Sequence, residues 1–103
     1  MLRYRFHPAA EEELLEAKSC IKSDDFEQGQ LFEQAFGNAL NWVRSQPLIF
    51  GCFAGEFRKA RVGKFRYSLV FQLRGEEIQI LAVAHMSRKS GYWKVRLKGQ
   101  GSL

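Results

Sequence analysis

Histidine, cysteine and proline each occur only twice in this chain, and those scarcities remove whole classes of function. Two histidines and two isolated cysteines make no cluster at metal-ligand spacing, so a zinc site lacks its ligands. No Gly-rich phosphate loop and no GxSxG elbow occur, which removes the nucleotide-binding and serine-hydrolase patterns. Neither a metal nor a cofactor is therefore expected. No apolar run approaches the roughly 20 residues that span a bilayer. Met1-Leu2-Arg3-Tyr4-Arg5 also lacks the apolar run of a signal peptide, so a cytoplasmic chain is expected. In that compartment Cys20 and Cys52 read as reduced thiols used for packing rather than as a disulfide.

What the chain does contain is divided unequally. Residues 1–50 carry five Lys/Arg and eight Asp/Glu, net −3, whereas residues 51–103 carry eleven and three, net +8. An acidic half followed by a strongly basic one suggests a face that meets polyanions or acidic protein. With 103 residues, 46% of them apolar, there is enough material for one core and one domain. That domain is expected over residues 1–96, with 97–103 as a flexible tail.

Periodicity gives the order of elements. Leu2, Tyr4 and Phe6 alternate with Arg3, Arg5 and His7, the period-2 pattern of a strand. Pro8 fits the first helical position, and Glu11, Glu12 and Glu13 read as a solvated first turn matched to the helix dipole. A break follows at Ser23–Glu27, where Asp24 and Glu27 resemble a capping box. Phe32, Ala35, Phe36, Ala39, Leu40 and Val43 then recur at 3- and 4-residue steps, ending before Pro47. After a loop containing Gly51, Cys52 and Gly55, three strands are predicted: Phe57–Val62, Phe65–Leu73 and Glu77–His85. Gly75-Glu76 is a tight hairpin turn between the last two, and the nearly continuous apolar run of the final strand predicts burial on both faces. From Lys94 onward apolar periodicity is absent and fraying is expected. The predicted fold is α+β, in the order β-α-α-β-β-β. A helical hairpin packs on a small, mainly antiparallel sheet.

Two constellations stand out chemically. Arg58, Lys59, Arg61, Lys64 and Arg66 place five cations in nine residues. Edge-strand protection needs fewer, and arginine suits phosphate and carboxylate forks. Ser87-Arg88-Lys89-Ser90-Gly91-Tyr92-Trp93 interleaves cations with aromatics that can stack bases, clamp an acidic peptide, or simply close the core. His85 is expected on the same strand face as Leu81 and Val83, where a packed, hydrogen-bonded histidine is the ordinary outcome, and its place at the strand's end just before Ser87-Arg88-Lys89 also suits a polar role.

Four blocks in order resemble the RelE/ParE superfamily of type II toxin–antitoxin toxins. They are His7-Pro8-Ala9-Ala10-Glu11-Glu12-Glu13-Leu14, Val62 to Phe71, Gly75 to His85, and Ser87 to Trp93. The resemblance implies a toxin neutralised by a cognate antitoxin. Such a partner would fold on binding and lay an acidic stretch on Arg58, Arg61, Arg66 and Arg88. One branch of the superfamily cuts messenger RNA on the translating ribosome without metal; the other poisons DNA gyrase. Ser68 stands where the nucleases resemble one another in carrying arginine, Ser87 and Arg88 where several end in His-Tyr or Tyr, and Arg66 where relatives have proline. The incomplete set favours the gyrase-directed, ParE-like reading. Arg58, Arg61, Lys64, Arg66, Arg88, Lys89, Tyr92 and Trp93 are then the expected contacts to target or antitoxin. The alternatives are a ribosome-dependent endoribonuclease using His85, Arg61 and Tyr92, or a degenerate toxin that only binds its antitoxin.

Overall fold

A computed structural model describes residues 1–97. Strand β1 (Arg3–Phe6) leads into helices α1 (Pro8–Asp24) and α2 (Phe26–Ser45). A 3-10 turn at Pro47–Ile49 precedes β2 (Cys52–Ala54), β3 (Phe57–Arg61), β4 (Tyr67–Arg74) and β5 (Glu77–His85). A second 3-10 helix, Tyr92–Leu97, ends the described chain. The five strands form one mixed sheet in the order β1-β5-β4-β3-β2, with β1 parallel to β5 and the other pairs antiparallel. The α+β fold and the predicted order are thus present, with β2 added as a short edge strand where a loop was expected.

Each helix begins where side-chain chemistry supplies a cap. His7 Nδ1 accepts from Ala9 N–H at 3.0 Å, and Pro8 follows at the first helical position. Burial pushes the His7 pKa down; the nearby Arg96 charge adds to this and Glu13 opposes it. The cap of α2 is Asp25 rather than Asp24: its Oδ1 accepts from Glu27 N–H at 2.9 Å and Gln28 N–H at 3.2 Å. Since α1 runs through Asp24, the break expected over five residues is a single one. The two helices approach so closely that a Cβ on Gly29 would sit 2.9 Å from the Lys22 backbone. At the β4–β5 turn Gly75 has φ +63° while Glu76 does not enter the left-handed region, the pattern of a Gly-X turn.

The helical hairpin covers one face of the sheet. Phe32, Phe36 and Val43 of α2, with Ala10 and Ala17 of α1, pack on Ala60, Leu69, Phe71, Ile78, Ile80 and Val83. The opposite face has its own smaller cluster, in which Val70, Leu81 and Ala82 lie under Trp93. Trp93 is 2% exposed and meets the rings of Phe57 and Phe53 edge-on, with centroids 4.9 and 5.9 Å apart. The fraying expected from Lys94 is therefore not seen through Leu97, because Tyr92–Leu97 closes this second face. Residues 98–103 of the expected tail lie outside the described residues, while Leu97 belongs to the 3-10 helix.

A bulge changes one further expectation. Val70 pairs with Ala82 but Phe71 pairs with Ile80, so Leu81 is the extra residue on β5. The alternation slips there, and Leu81 joins the Trp93 face while Val83 faces the helices. His85 therefore shares a face with Val83 and not with Leu81, with its ring edge-on to Tyr67 at 4.9 Å. Both cysteines are free and exposed, so neither serves the packing role expected of it.

Candidate functional site

The cations of the basic block divide by strand alternation. Arg58 pairs in register with Phe71 on the helix side, and its guanidinium donates to the Phe50 carbonyl. Lys59 and Arg61 pair with Val70 and Ser68, on the face that Trp93 partly covers. Lys59 Nζ sits 4.9 Å from the Phe53 ring centroid, and Arg61 Nε donates to Phe65 O at 3.2 Å. Lys64 and Arg66 are exposed in the β3–β4 connection, where the Arg66 carbonyl accepts from Met86 N–H at 2.9 Å. That bond ties the basic block to the Ser87–Trp93 constellation.

Between them lies a cleft of about 230 Å³, lined by Lys59, Ser68, His85, Arg88, Lys89 and Ser90 together with Tyr92 and Trp93. Its chemistry is set largely by residues that hold one another. His85 Nδ1 accepts from Ser87 N–H at 3.0 Å, and Ser87 Oγ lies 2.8 Å from the same nitrogen. The Arg88 guanidinium stacks over the Tyr92 ring, 3.8 Å from its centroid. Trp93, named among the contact residues, is a core side chain whose faces pack within the protein.

The largest departure from expectation is Glu13. Glu11 and Glu12 are exposed, but Glu13 is not part of a solvated turn. Its carboxylate, 15% exposed, faces the 13%-exposed Arg96 across a bidentate pair with bonds of 2.7 and 3.0 Å. Val83 N–H donates to its Oε1 at 3.0 Å, and Tyr92 Oη–H to its Oε2 at 2.7 Å. Arg96 also donates to the Leu81 carbonyl at 2.7 Å, so the cluster binds α1, the β5 bulge and the C-terminal 3-10 helix together. Burial works to raise the Glu13 pKa, but hydrogen bonds from Arg96, Tyr92 and Val83 outweigh it and hold it below the ordinary carboxylate value. The Tyr92 hydroxyl moves the other way: burial, then its bond to Glu13, push it up to about 12.

Of the three residues expected in a nuclease, the structure brings His85 and Tyr92 to one cleft, while Arg61 lies on the same sheet face beside Ser68. Sequence reasoning missed Glu13 and Arg96 as a structural pair. The available signal was position: Ala10, Glu13, Leu14 and Ala17 follow 3- and 4-residue steps, which put an acid on the buried stripe of α1. No group of three or more His, Cys, Asp or Glu among the described residues is placed to hold a metal ion. No helix among them is long and apolar enough to cross a membrane.

Comparison with curated proteins returns no match. A family profile described as the ParE toxin of the type II toxin–antitoxin system parDE matches residues 4–90. That span runs from β1 through both helices and every strand to the basic loop after β5, and the family implies an antitoxin partner. The chain belongs to the ParE toxin family of type II toxin–antitoxin systems.

Proposed function

We propose that the protein poisons DNA gyrase without itself catalysing a reaction, and that a cognate antitoxin silences it. The observation that carries this reading is the state of Tyr92. Ribonuclease chemistry requires one group to take the 2′-hydroxyl proton and another to protonate the leaving oxygen. Tyr92 has its proton committed to Glu13 and a pKa of about 12, far from the near-neutral value that efficient proton transfer favours. His85 has Nδ1 occupied by Ser87, and Ser68 stands where the resemblance to the nucleases would put an arginine. A surface rich in Lys and Arg but poor in free acid–base pairs suits binding to a protein–DNA complex more than cleavage of RNA.

The antitoxin supplies the opposite charge. An acidic segment folding over exposed Arg61, Arg66 and Arg88 would associate quickly and with strong salt dependence. Purified protein tested in parallel on gyrase supercoiling and on programmed ribosomes distinguishes the two target classes. Supercoiling should stop and gyrase-linked DNA breaks accumulate while messenger stays whole. Cut messenger with unimpaired supercoiling would replace this reading with the endoribonuclease one.

A further inference from the structure

Some cations of this protein are paired with its own carboxylates. Arg96 is spent on Glu13, and Arg3 and Arg5 lie 3.8 and 3.7 Å from Glu77. Lys59, Arg88 and Lys89 instead converge on the cleft at the ends of β4 and β5, whose lining contains no carboxylate among the described residues. All three are exposed, and the hydroxyls of Ser68 and Ser90 add neutral hydrogen-bonding groups beside them. Arg88 also borders a neighbouring hollow with Glu13 and Glu16, but none of the three forms an ion pair with a described carboxylate, and three positive charges converging on one cleft make a site for an external anion.

The aromatic residues decide which anion. Single-stranded nucleic acid is held by bases stacking on open aromatic faces. Here Trp93 is 2% exposed and packed on Phe57, and Arg88 covers a face of Tyr92 at 3.8 Å. Neither offers a platform for a base, and Phe53, the third aromatic of the lining and 40% exposed, has Lys59 Nζ 4.9 Å from its ring centroid, so the cleft favours backbone phosphate over a stacked base. The positive track also continues past it, since Arg61 follows Lys59 on the same face and is in register with the cleft residue Ser68. A repeating polyanion matches that extended track better than a single carboxylate does.

We propose that the Lys59–Arg88–Lys89 cleft binds successive phosphates of the duplex DNA backbone without reading the sequence. The choice of duplex DNA over RNA rests on the gyrase reading.

The test is anisotropy of a labelled mixed-sequence duplex titrated with the full chain between 50 and 200 mM salt. Three phosphate contacts give a slope of log K against log salt of about −3. Lys59→Gln, Arg88→Gln and Lys89→Gln should each reduce its magnitude by about 1, while Arg3→Gln on the Glu77 side leaves it unchanged. Duplex binding with the same slope in all four variants would overturn the proposal. So would cleft-dependent binding of a labelled polyglutamate peptide without duplex binding, which would assign the cleft to an acidic protein segment. Gyrase inhibition measured on the same preparations separates the two readings. Inhibition that survives all three cleft substitutions removes the cleft alone, whereas cleft-dependent duplex binding with no effect on gyrase removes the gyrase target alone.

Discussion

Glu13→Ala is expected to destabilise the protein by about 3 kcal/mol, the range found when one partner of a buried ion pair is removed. The substitution leaves Arg96 without its carboxylate, Val83 N–H without its acceptor and Tyr92 Oη without its partner in one step. For a domain of about 100 residues this corresponds to a fall in Tm of roughly 15 °C. Thermal melts followed by circular dichroism at pH 7 measure it directly, and a fall under about 3 °C would deny the cluster its structural role. The pH dependence has a fixed sign. Because the folded state holds the Glu13 pKa below its unfolded value, its contribution is present above the ordinary carboxylate range and is lost as pH falls through the folded pKa. Glu13→Gln should remove that part of the acid limb. Tyr92 contributes on the alkaline side: its stabilisation is complete below pH 10.0 and disappears as pH rises through about 12.

Trp93→Ala is expected to cost about 3–5 kcal/mol, the usual loss for truncating a large buried aromatic. Trp93 is the largest side chain over the second face of the sheet, and its loss uncovers Val70, Leu81 and Ala82 beneath it. The edge contacts with Phe57 and Phe53 go with it. Urea unfolding gives the free energy. The spectrum supplies an independent check, because the other tryptophan, Trp42, is 58% exposed. Wild-type emission should therefore contain a blue component that the variant lacks. A change in unfolding free energy below about 1 kcal/mol would mean that Tyr92–Leu97 contributes little to the fold.

These two effects fall on the segment that the sequence described least well. Regular elements were legible because their patterns have fixed periods. The alternation in β1, the stripe from Phe32 to Val43 and the apolar run Glu77–His85 each repeat long enough to identify themselves. Tyr92–Leu97 has no such period. It is held by contacts to residues 79 to 83 positions earlier, which no local window contains. The same limit hid β2, three residues long and paired with β3. The Leu81 bulge is a property of pairing, so the position of His85 relative to Leu81 became visible only once β4 was alongside.

The candidate site was legible in a similar, partial way. The concentration of cations in the second half followed from counting. Alternation along β3 also separated Arg58 from Lys59 and Arg61, as the registers with Phe71, Val70 and Ser68 show. What composition does not reveal is which cations already have an internal partner. Arg96 and Arg88 lie eight positions apart in the same basic stretch, yet one is locked to Glu13 and the other lines an open cleft.

Growth arrest by Tyr92→Phe, induced without antitoxin and scored as colony counts beside unaltered protein, examines the non-catalytic reading at its most exposed point. The substitution removes the hydroxyl and keeps the ring on which Arg88 stacks. Colony counts should fall as far as they do with the unaltered chain, because the hydroxyl serves the fold and not a proton transfer. Counts that stay at the uninduced level while folded variant accumulates would match the loss of about 10²–10⁴ expected for a missing acid–base catalyst, and the protein would then have to be treated as a nuclease.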